Sequence, residues 1–122
     1  MTSAAEERFE LFAADELAPG EIRPVDIAGR AVAIVKSQDG TISALRDICP
    51  HLGARLSYGY VDRTVIAETV GDFQLSDEFA VRCPWHGYEF STATGRCLAD
   101  PERVRVRAYR VAVEDGKIIV WR

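Results

Sequence analysis

Apolar and polar residues along the chain follow the short patterns that are typical of β-strands. Residues 31–35 (Ala-Val-Ala-Ile-Val) are an apolar run that predicts a buried strand. Asp39 and Gly40 form a strong hairpin signal, after which residues 41–47 are expected to return as the next strand. No segment repeats its apolar positions convincingly with the period of a long helix, so the sequence predicts an all-β fold.

Similar signals mark both ends of the chain. Residues 8–12 and 21–27 read as strands, with Pro24 favouring a sheet edge, and residues 13–17 suggest a single helical turn. Near the C-terminus, a second Asp-Gly turn at 115–116 is followed by an apolar stretch at 117–121. A strand with one exposed face is predicted from apolar residues that alternate with arginines: Val104, Val106 and Ala108 with Arg103, Arg105 and Arg107.

The middle of the chain has a different composition. From Cys49 to Gly95 it is rich in glycine, proline and aromatic residues, which is typical of loops held by something other than a large core. We interpret residues 1–122 as a single domain. Its β-base comprises about residues 1–46 and 96–122, and its loop-built part about residues 47–95.

Composition and charge narrow the range of partners and locations. The chain is 48% hydrophobic and 28% charged, as expected for a globular protein. Its formal net charge of −4 argues against nucleic acid and against a membrane surface as partners. No apolar run approaches the ~20 residues of a membrane span, and the polar, acidic N-terminus does not resemble a signal peptide. We therefore expect a cytoplasmic protein.

Cysteine and histidine are scarce and lie close together. The three cysteines cannot form a complete set of disulfides, and each of the two histidines follows a cysteine, His51 after Cys49 and His86 after Cys83. Two sulfur and two nitrogen ligands suit a tetrahedral zinc site or an iron–sulfur site. Cys97 has no such neighbour and is interpreted as a small buried side chain.

The two loops carry a family resemblance. Residues 49–53 (Cys-Pro-His-Leu-Gly) and 83–90 (Cys-Pro-Trp-His-Gly-Tyr-Glu-Phe) resemble the cluster-binding loops of the Rieske [2Fe–2S] family. This resemblance implies stacked antiparallel sheets with a small loop-built cluster-binding subdomain. It also implies one [2Fe–2S] cluster per chain, with Cys49 and Cys83 binding one iron and His51 and His86 binding the other.

Departures from the motif indicate the type of Rieske protein. High-potential members have a disulfide-forming cysteine at the positions of Ala54 and Trp85. They also have a serine and a tyrosine that donate to sulfur where this chain has Tyr88 and Phe90. Fewer donors to sulfur stabilise the reduced state less. The chain therefore resembles the low-potential ferredoxin components of ring-hydroxylating oxygenase systems.

The segment between the two loops is longer than in typical ferredoxin members. The extra residues are assigned to an insertion at about 58–78, which is expected to form its own hairpin. Between residues 60 and 80 there are five acidic side chains and a single arginine. Two interpretations stay open for this acidic segment, a solvated loop and a surface for partner docking.

The resemblance implies a one-electron carrier. We expect the chain to take electrons from a flavin-dependent reductase and deliver them to a terminal oxygenase, of the aromatic-ring type. Catalytic oxygenases also need an iron held by two histidines and a carboxylate, and both histidines are already assigned, so we do not expect an enzyme. Three alternatives remain: the small subunit of an assimilatory nitrite reductase, a redox or assembly sensor, and a zinc-stabilised binding module.

Overall fold

The computed structural model describes residues 7–50, 53–69, 72–84 and 88–122, and for residues 65–69 and 72–77 it describes the backbone only. This part of the chain is built from antiparallel strands and two short 3-10 turns, which confirms the predicted all-β class. The strands are β1 (Arg8–Ala13), β2 (Ile22–Ile27), β3 (Arg30–Lys36), β4 (Ile42–Arg46), β5 (Tyr60–Thr69), β6 (Asp72–Arg82), β7 (Glu89–Ser91), β8 (Ala108–Glu114) and β9 (Lys117–Trp121); the 3-10 turns are Ala14–Glu16 and Leu56–Tyr58.

Six strands from the two ends of the chain form the larger sheet, in the order β1-β9-β8-β4-β3-β2. Strand β2 lies at its edge, as Pro24 predicted, because proline has no N–H to donate to a second neighbour. The hairpin turn between β3 and β4 follows from its residues. The Asp39 carboxylate accepts the N–H of Thr41 at 3.0 Å, and this backbone hydrogen bond lowers the pKa of Asp39. Gly40 takes the positive φ (91°) that glycine tolerates.

The hairpin β3–β4 is buried on both faces. Because neighbouring strand residues point to opposite faces, the pair Ile34–Ala44 lies on one face and the pair Ala33–Leu45 on the other. Ile34 and Ala44 belong to a core cluster within the large sheet, whereas Leu45 belongs to a second cluster. This second cluster also contains all three cysteines. Burial on both faces explains the continuous apolar run at 31–35.

The remaining strands form a three-stranded sheet in the order β5-β6-β7. The hairpin predicted within residues 58–78 is confirmed, but it is longer than expected, because pairing runs from Tyr60 with Arg82 outwards to Thr69 with Asp72. That these residues are an insertion stays a prediction. Strand β7 covers only the inner end of β6, from Ala80 to Arg82. The outer part of the hairpin is therefore two-stranded within the described residues. The division of the chain into a β-base and a cluster-binding part stays an interpretation.

One strand prediction was wrong. The alternation of arginine and apolar residues at 103–108 predicted a strand, but β8 begins only at Ala108. The side chains do alternate, with Arg103, Arg105 and Arg107 exposed and Val106 buried. The backbone, however, makes only an isolated bridge from Arg105 to Arg96. An extended segment produces the period of two whether or not a neighbouring strand completes its ladder.

Within the described residues, no helix has the length and apolar character that crossing a membrane requires.

The two-sided hairpin makes a testable prediction for stability. Replacing Ile34, which is fully buried, by alanine leaves a cavity in the core and should lower the free energy of unfolding by about 2–5 kcal/mol. The control is Val113→Ala on β8, where the side chain is 48% exposed and the expected loss is below about 1 kcal/mol. Denaturant unfolding followed by circular dichroism measures both. Equal losses in the two variants would contradict the assignment of Ile34 to the core.

Candidate metal centre

The first cysteine loop begins three residues after strand β4. The backbone N–H of Cys49 donates to the carbonyl of Ala54 at 2.6 Å, and the N–H of Gly53 donates to the carbonyl of Cys49 at 2.9 Å. Gly53 has a φ of 72°, a conformation that other residues adopt only with strain. These two bonds close a tight loop over residues 49–54.

The second loop is closed by an equivalent backbone hydrogen bond from its cysteine. Cys83 follows β6 directly, and its N–H donates to the carbonyl of Tyr88 at 2.7 Å. In both loops the cysteine therefore bonds to the residue five positions further on. The two loops present their cysteines at equivalent positions, each at the start of a closed turn and each followed by an exposed proline, Pro50 or Pro84.

Both cysteine side chains are buried in one apolar cluster. Cys49 is 0% exposed and Cys83 is 1% exposed, and none of the three cysteines forms a disulfide. Two thiols that reach one apolar cluster from separate loops are a donor set that fits a soft, thiolate-bound metal centre such as an iron–sulfur cluster. Cys97 belongs to the same cluster and is also fully buried, as its sequence context predicted.

The predicted ligand set also contains two histidines. His51, His86 and the neighbouring Trp85 lie outside the described residues. The structure therefore brings the two cysteines of the predicted ligand set into one apolar core. The role of the two histidines stays a prediction.

A buried carboxylate holds the first loop in place. The Asp47 side chain is 0% exposed and lies two residues before Cys49. It accepts hydrogen bonds from the Ser57 N–H at 2.7 Å, from the Ser57 hydroxyl at 2.7 Å and from Arg55 Nε at 3.1 Å. A buried charge is tolerated only when its oxygens are satisfied in this way. Asp47 thus ties the start of the loop to the Leu56–Tyr58 turn that follows its end.

The same turn also touches the second loop. Gly59 ends the Leu56–Tyr58 turn, and a Cβ at this position would lie 1.8 Å from the carbonyl oxygen of Arg82. Arg82 is the residue immediately before Cys83. Since only glycine permits this approach, the turn is a spacer that contacts the backbone beside both cysteine loops.

Comparison with known proteins decides the family. Residues 7–110 match the Rieske [2Fe–2S] domain. The chain belongs to the Rieske [2Fe–2S] domain family. A Rieske domain carries a [2Fe–2S] cluster, and the two buried thiols fit that group. The predicted all-β Rieske fold and the predicted cofactor are therefore confirmed.

Rieske relatives differ in how much of their length this chain covers. Ferredoxin CarAc of Metapseudomonas resinovorans is 32% identical over 108 residues, which cover 88% of this chain and 87% of that protein. Cholesterol 7-desaturase nvd of Hemicentrotus pulcherrimus is 25% identical over 120 residues, which cover 91% of this chain. The chain spans only 18–24% of the length of the cholesterol 7-desaturases that it matches.

Solved Rieske structures show two kinds of neighbour. A Mycobacterium tuberculosis protein described as the small subunit of an NADH-dependent nitrite reductase superposes with a TM-score of 0.79 at 30% identity. It covers 98% of this chain and 97% of its own length. A chain of the complex of reduced oxygenase and oxidized ferredoxin in carbazole 1,9a-dioxygenase superposes with a TM-score of 0.68 at 27% identity, covering 92% of this chain and 99% of its own length.

Sequence reasoning missed the residues that support the Rieske loops. Asp47 was assigned to the end of a strand, and Ser57 and Gly59 were not singled out. The signal that could have found them is local. An acidic residue precedes the first cysteine, and a serine and a glycine follow the loop. Nothing in that pattern alone shows that Asp47 and Ser57 meet across ten positions.

The bond from Ser57 to Asp47 makes the second prediction. In Ser57→Ala the buried carboxylate loses one charged hydrogen bond, which should cost about 1.5–3 kcal/mol. Because the bond braces the Cys49 loop, the cluster should also bleach faster on heating. Loss of visible absorbance with time and denaturant unfolding measure the two effects.

Ser37→Ala is the matched control for this variant. The Ser37 hydroxyl is buried and has no hydrogen-bond partner among the described residues, so its removal should change stability by less than about 0.5 kcal/mol. Cluster bleaching should keep the wild-type rate in this control. A Ser57→Ala protein that bleaches no faster than Ser37→Ala would contradict the bracing role.

Proposed function

We propose that the chain is a one-electron carrier of the Rieske ferredoxin type. It takes electrons from a flavin-dependent reductase and passes them to a terminal oxygenase, of the kind that acts on aromatic rings. The observation that carries this proposal is the pair of buried thiols in two equivalent loops. Support for the ferredoxin assignment comes from ferredoxin CarAc, whose match extends along most of both chains.

We propose Cys49 and Cys83 as the ligands of one iron and His51 and His86 as the ligands of the other. The bound cluster supplies the chemistry, which is the acceptance and release of one electron. The chain's own residues exclude water from the thiolate side. Leu56 and Phe90 are fully buried in the same apolar core as the cysteine side chains. Phe90 also carries no hydroxyl to donate to sulfur, which supports the low-potential assignment.

The proposal assigns substrate oxidation to the partner. Among these 122 residues there are two histidines, and both are proposed cluster ligands. A mononuclear oxygenase iron would need two more histidines and a carboxylate. The cholesterol 7-desaturases show that a Rieske domain also occurs within much longer proteins. This chain matches 23% of the length of the Hemicentrotus pulcherrimus desaturase.

A second candidate function is the small subunit of an assimilatory nitrite reductase. It is supported by the superposition with the Mycobacterium tuberculosis protein, at a TM-score of 0.79 over 98% of this chain. In that case the chain would remain bound to a catalytic subunit and would not shuttle between partners. The cluster, its ligands and the one-electron chemistry would be the same in both roles.

The ligand assignment makes the third prediction. Cys49→Ser and Cys83→Ser should each abolish the cluster, because thiolate binding is part of forming the loops. Iron content, visible absorbance and the EPR spectrum of the reduced protein measure the loss. Cys97→Ala is the control and should retain the iron, the visible absorbance and the EPR spectrum. Cys97 lies in the same apolar core as Cys49 and Cys83 but is not a proposed ligand. A Cys83→Ser protein with a full Rieske spectrum would overturn the assignment.

The partner assignment is tested by isolating the native protein with its bound partners, followed by mass spectrometry. Recovery of a flavin-dependent reductase and a terminal oxygenase supports the ferredoxin role, and recovery of a nitrite reductase catalytic subunit supports the second candidate. A colourless protein that contains zinc and no iron contradicts both roles and supports a zinc-stabilised binding module.

A further inference from the structure

Four arginines lie on one exposed segment between β7 and β8. We define the basic face by Arg96, Arg103, Arg105 and Arg107, all of which are exposed. The segment 94–107 also contains Asp100 and Glu102, which leaves it a net charge of +2 (four minus two) in a chain of net charge −4. The segment that carries the basic face is therefore positively charged, whereas the chain as a whole is negatively charged.

Other arginines of the chain form ion pairs with carboxylates, whereas those of the basic face do not in the described residues. Arg8 pairs with Glu114 at 2.6 Å, and Arg122 pairs with Glu7 at 3.1 Å. Among the described residues, no carboxylate forms an ion pair with any arginine of the basic face. Their charges are left available to an external partner, although the chain contains more acidic than basic residues.

The backbone beneath the basic face is held firmly. The Cys97 N–H donates to the carbonyl of Val104 at 2.9 Å, and the Val106 N–H donates to the carbonyl of Gly95 at 2.8 Å. A Cβ at Gly95 would lie 2.1 Å from the Val106 carbonyl oxygen, so the two backbones are in direct contact. A surface that is already ordered loses less entropy when a partner binds.

Two of the arginines also line an open cleft. It has a volume of about 490 Å³ and is formed by Thr94, Arg105, Val106, Arg107 and Ala108. The guanidinium of Arg107 lies 4.6 Å from the centroid of the Tyr109 ring, which orients this side chain. Arginine binds carboxylates through two parallel N–H groups, and an oriented guanidinium does so at lower cost.

The basic face is close to the first cysteine loop. The carbonyl of Arg107 accepts the N–H of Arg46 at 2.8 Å, at the end of β4. Cys49 is three residues further along, so its Cα lies within about 11 Å of the Arg46 Cα. A protein bound at the basic face would therefore sit beside the proposed metal centre.

We propose that the basic face docks an acidic protein surface of a redox partner. This inference rests on the proposed electron-carrier function, because it assigns a partner surface to the same centre. Opposite charges steer the encounter and raise its rate at low salt. The acidic side chains between residues 60 and 80 are separate in sequence from the basic face, so the chain carries its two signs of charge in different segments.

The test uses cytochrome b5, an acidic haem protein, as the probe. The protein is reduced with dithionite, separated from the excess dithionite and mixed with ferric cytochrome b5, and the transfer of one electron from the protein to the haem iron is followed by stopped flow. Arg105→Gln/Arg107→Gln should lower the second-order rate constant at least threefold at low salt, by a rough estimate. At 1 M salt the difference should vanish, because the screening length is then about 3 Å.

Two control variants make the outcome specific. Arg8→Gln/Lys117→Gln removes the same charge from exposed positions at the starts of β1 and β9, and should stay close to the wild-type rate. Arg105→Lys/Arg107→Lys keeps the charge and should retain most of the salt dependence. Equal slowing in the Arg8→Gln/Lys117→Gln control, or a wild-type rate in Arg105→Gln/Arg107→Gln, would overturn the docking proposal.

A separate measurement distinguishes this proposal from the proposed function. Titration calorimetry of the oxidised protein with cytochrome b5 reports binding without electron transfer, and binding should weaken in Arg105→Gln/Arg107→Gln alone. Reduction of a neutral quinone to its semiquinone, by one electron from the reduced protein, reports electron transfer without charge-dependent docking. A wild-type protein that fails to reduce the quinone contradicts the electron-carrier function, whereas unchanged binding in Arg105→Gln/Arg107→Gln contradicts the docking surface.

Discussion

Burial of the β3–β4 hairpin on both faces is the constraint on which the rest of the structure depends. One face of the hairpin completes the core of the six-stranded sheet, and the other face begins the apolar cluster that surrounds the cysteines. The first cysteine loop then begins three residues after strand β4. The position of Cys49 is therefore set by a strand that is fixed by packing on two sides, and the hydrogen bonds of Asp47 then hold the loop itself.

The surroundings of the proposed metal centre combine two kinds of interaction. The thiols of Cys49 and Cys83 lie among apolar side chains, where water is excluded. The backbone that carries Cys49 is held instead by the Asp47 carboxylate and its donors on Arg55 and Ser57. Apolar packing does not fix direction, whereas hydrogen bonds do. The polar network therefore supplies the orientation that the apolar cluster alone would leave undefined.

The sequence predicted those parts of the molecule whose physics is local. The hairpins at Asp39–Gly40 and Asp115–Gly116 follow from turn geometry, and the cysteine loops follow from a compact motif. The strand predicted at 103–107 failed because alternation reports an extended backbone and not its hydrogen-bond partner. The bond between Asp47 and Ser57 could not be predicted, because it depends on how the chain returns after the loop.

The long β5–β6 hairpin has a consequence for how this fold changes during evolution. Its inner end is fixed where Tyr60 pairs with Arg82, beside both cysteine loops, and its outer end pairs only with itself in the described residues. Adding or deleting one residue on each strand at the outer end changes the length of the hairpin without moving its inner end. Insertions and deletions accumulate most easily at such a place, so the length of the hairpin that extends away from the cysteine loops can vary while the loops themselves stay unchanged.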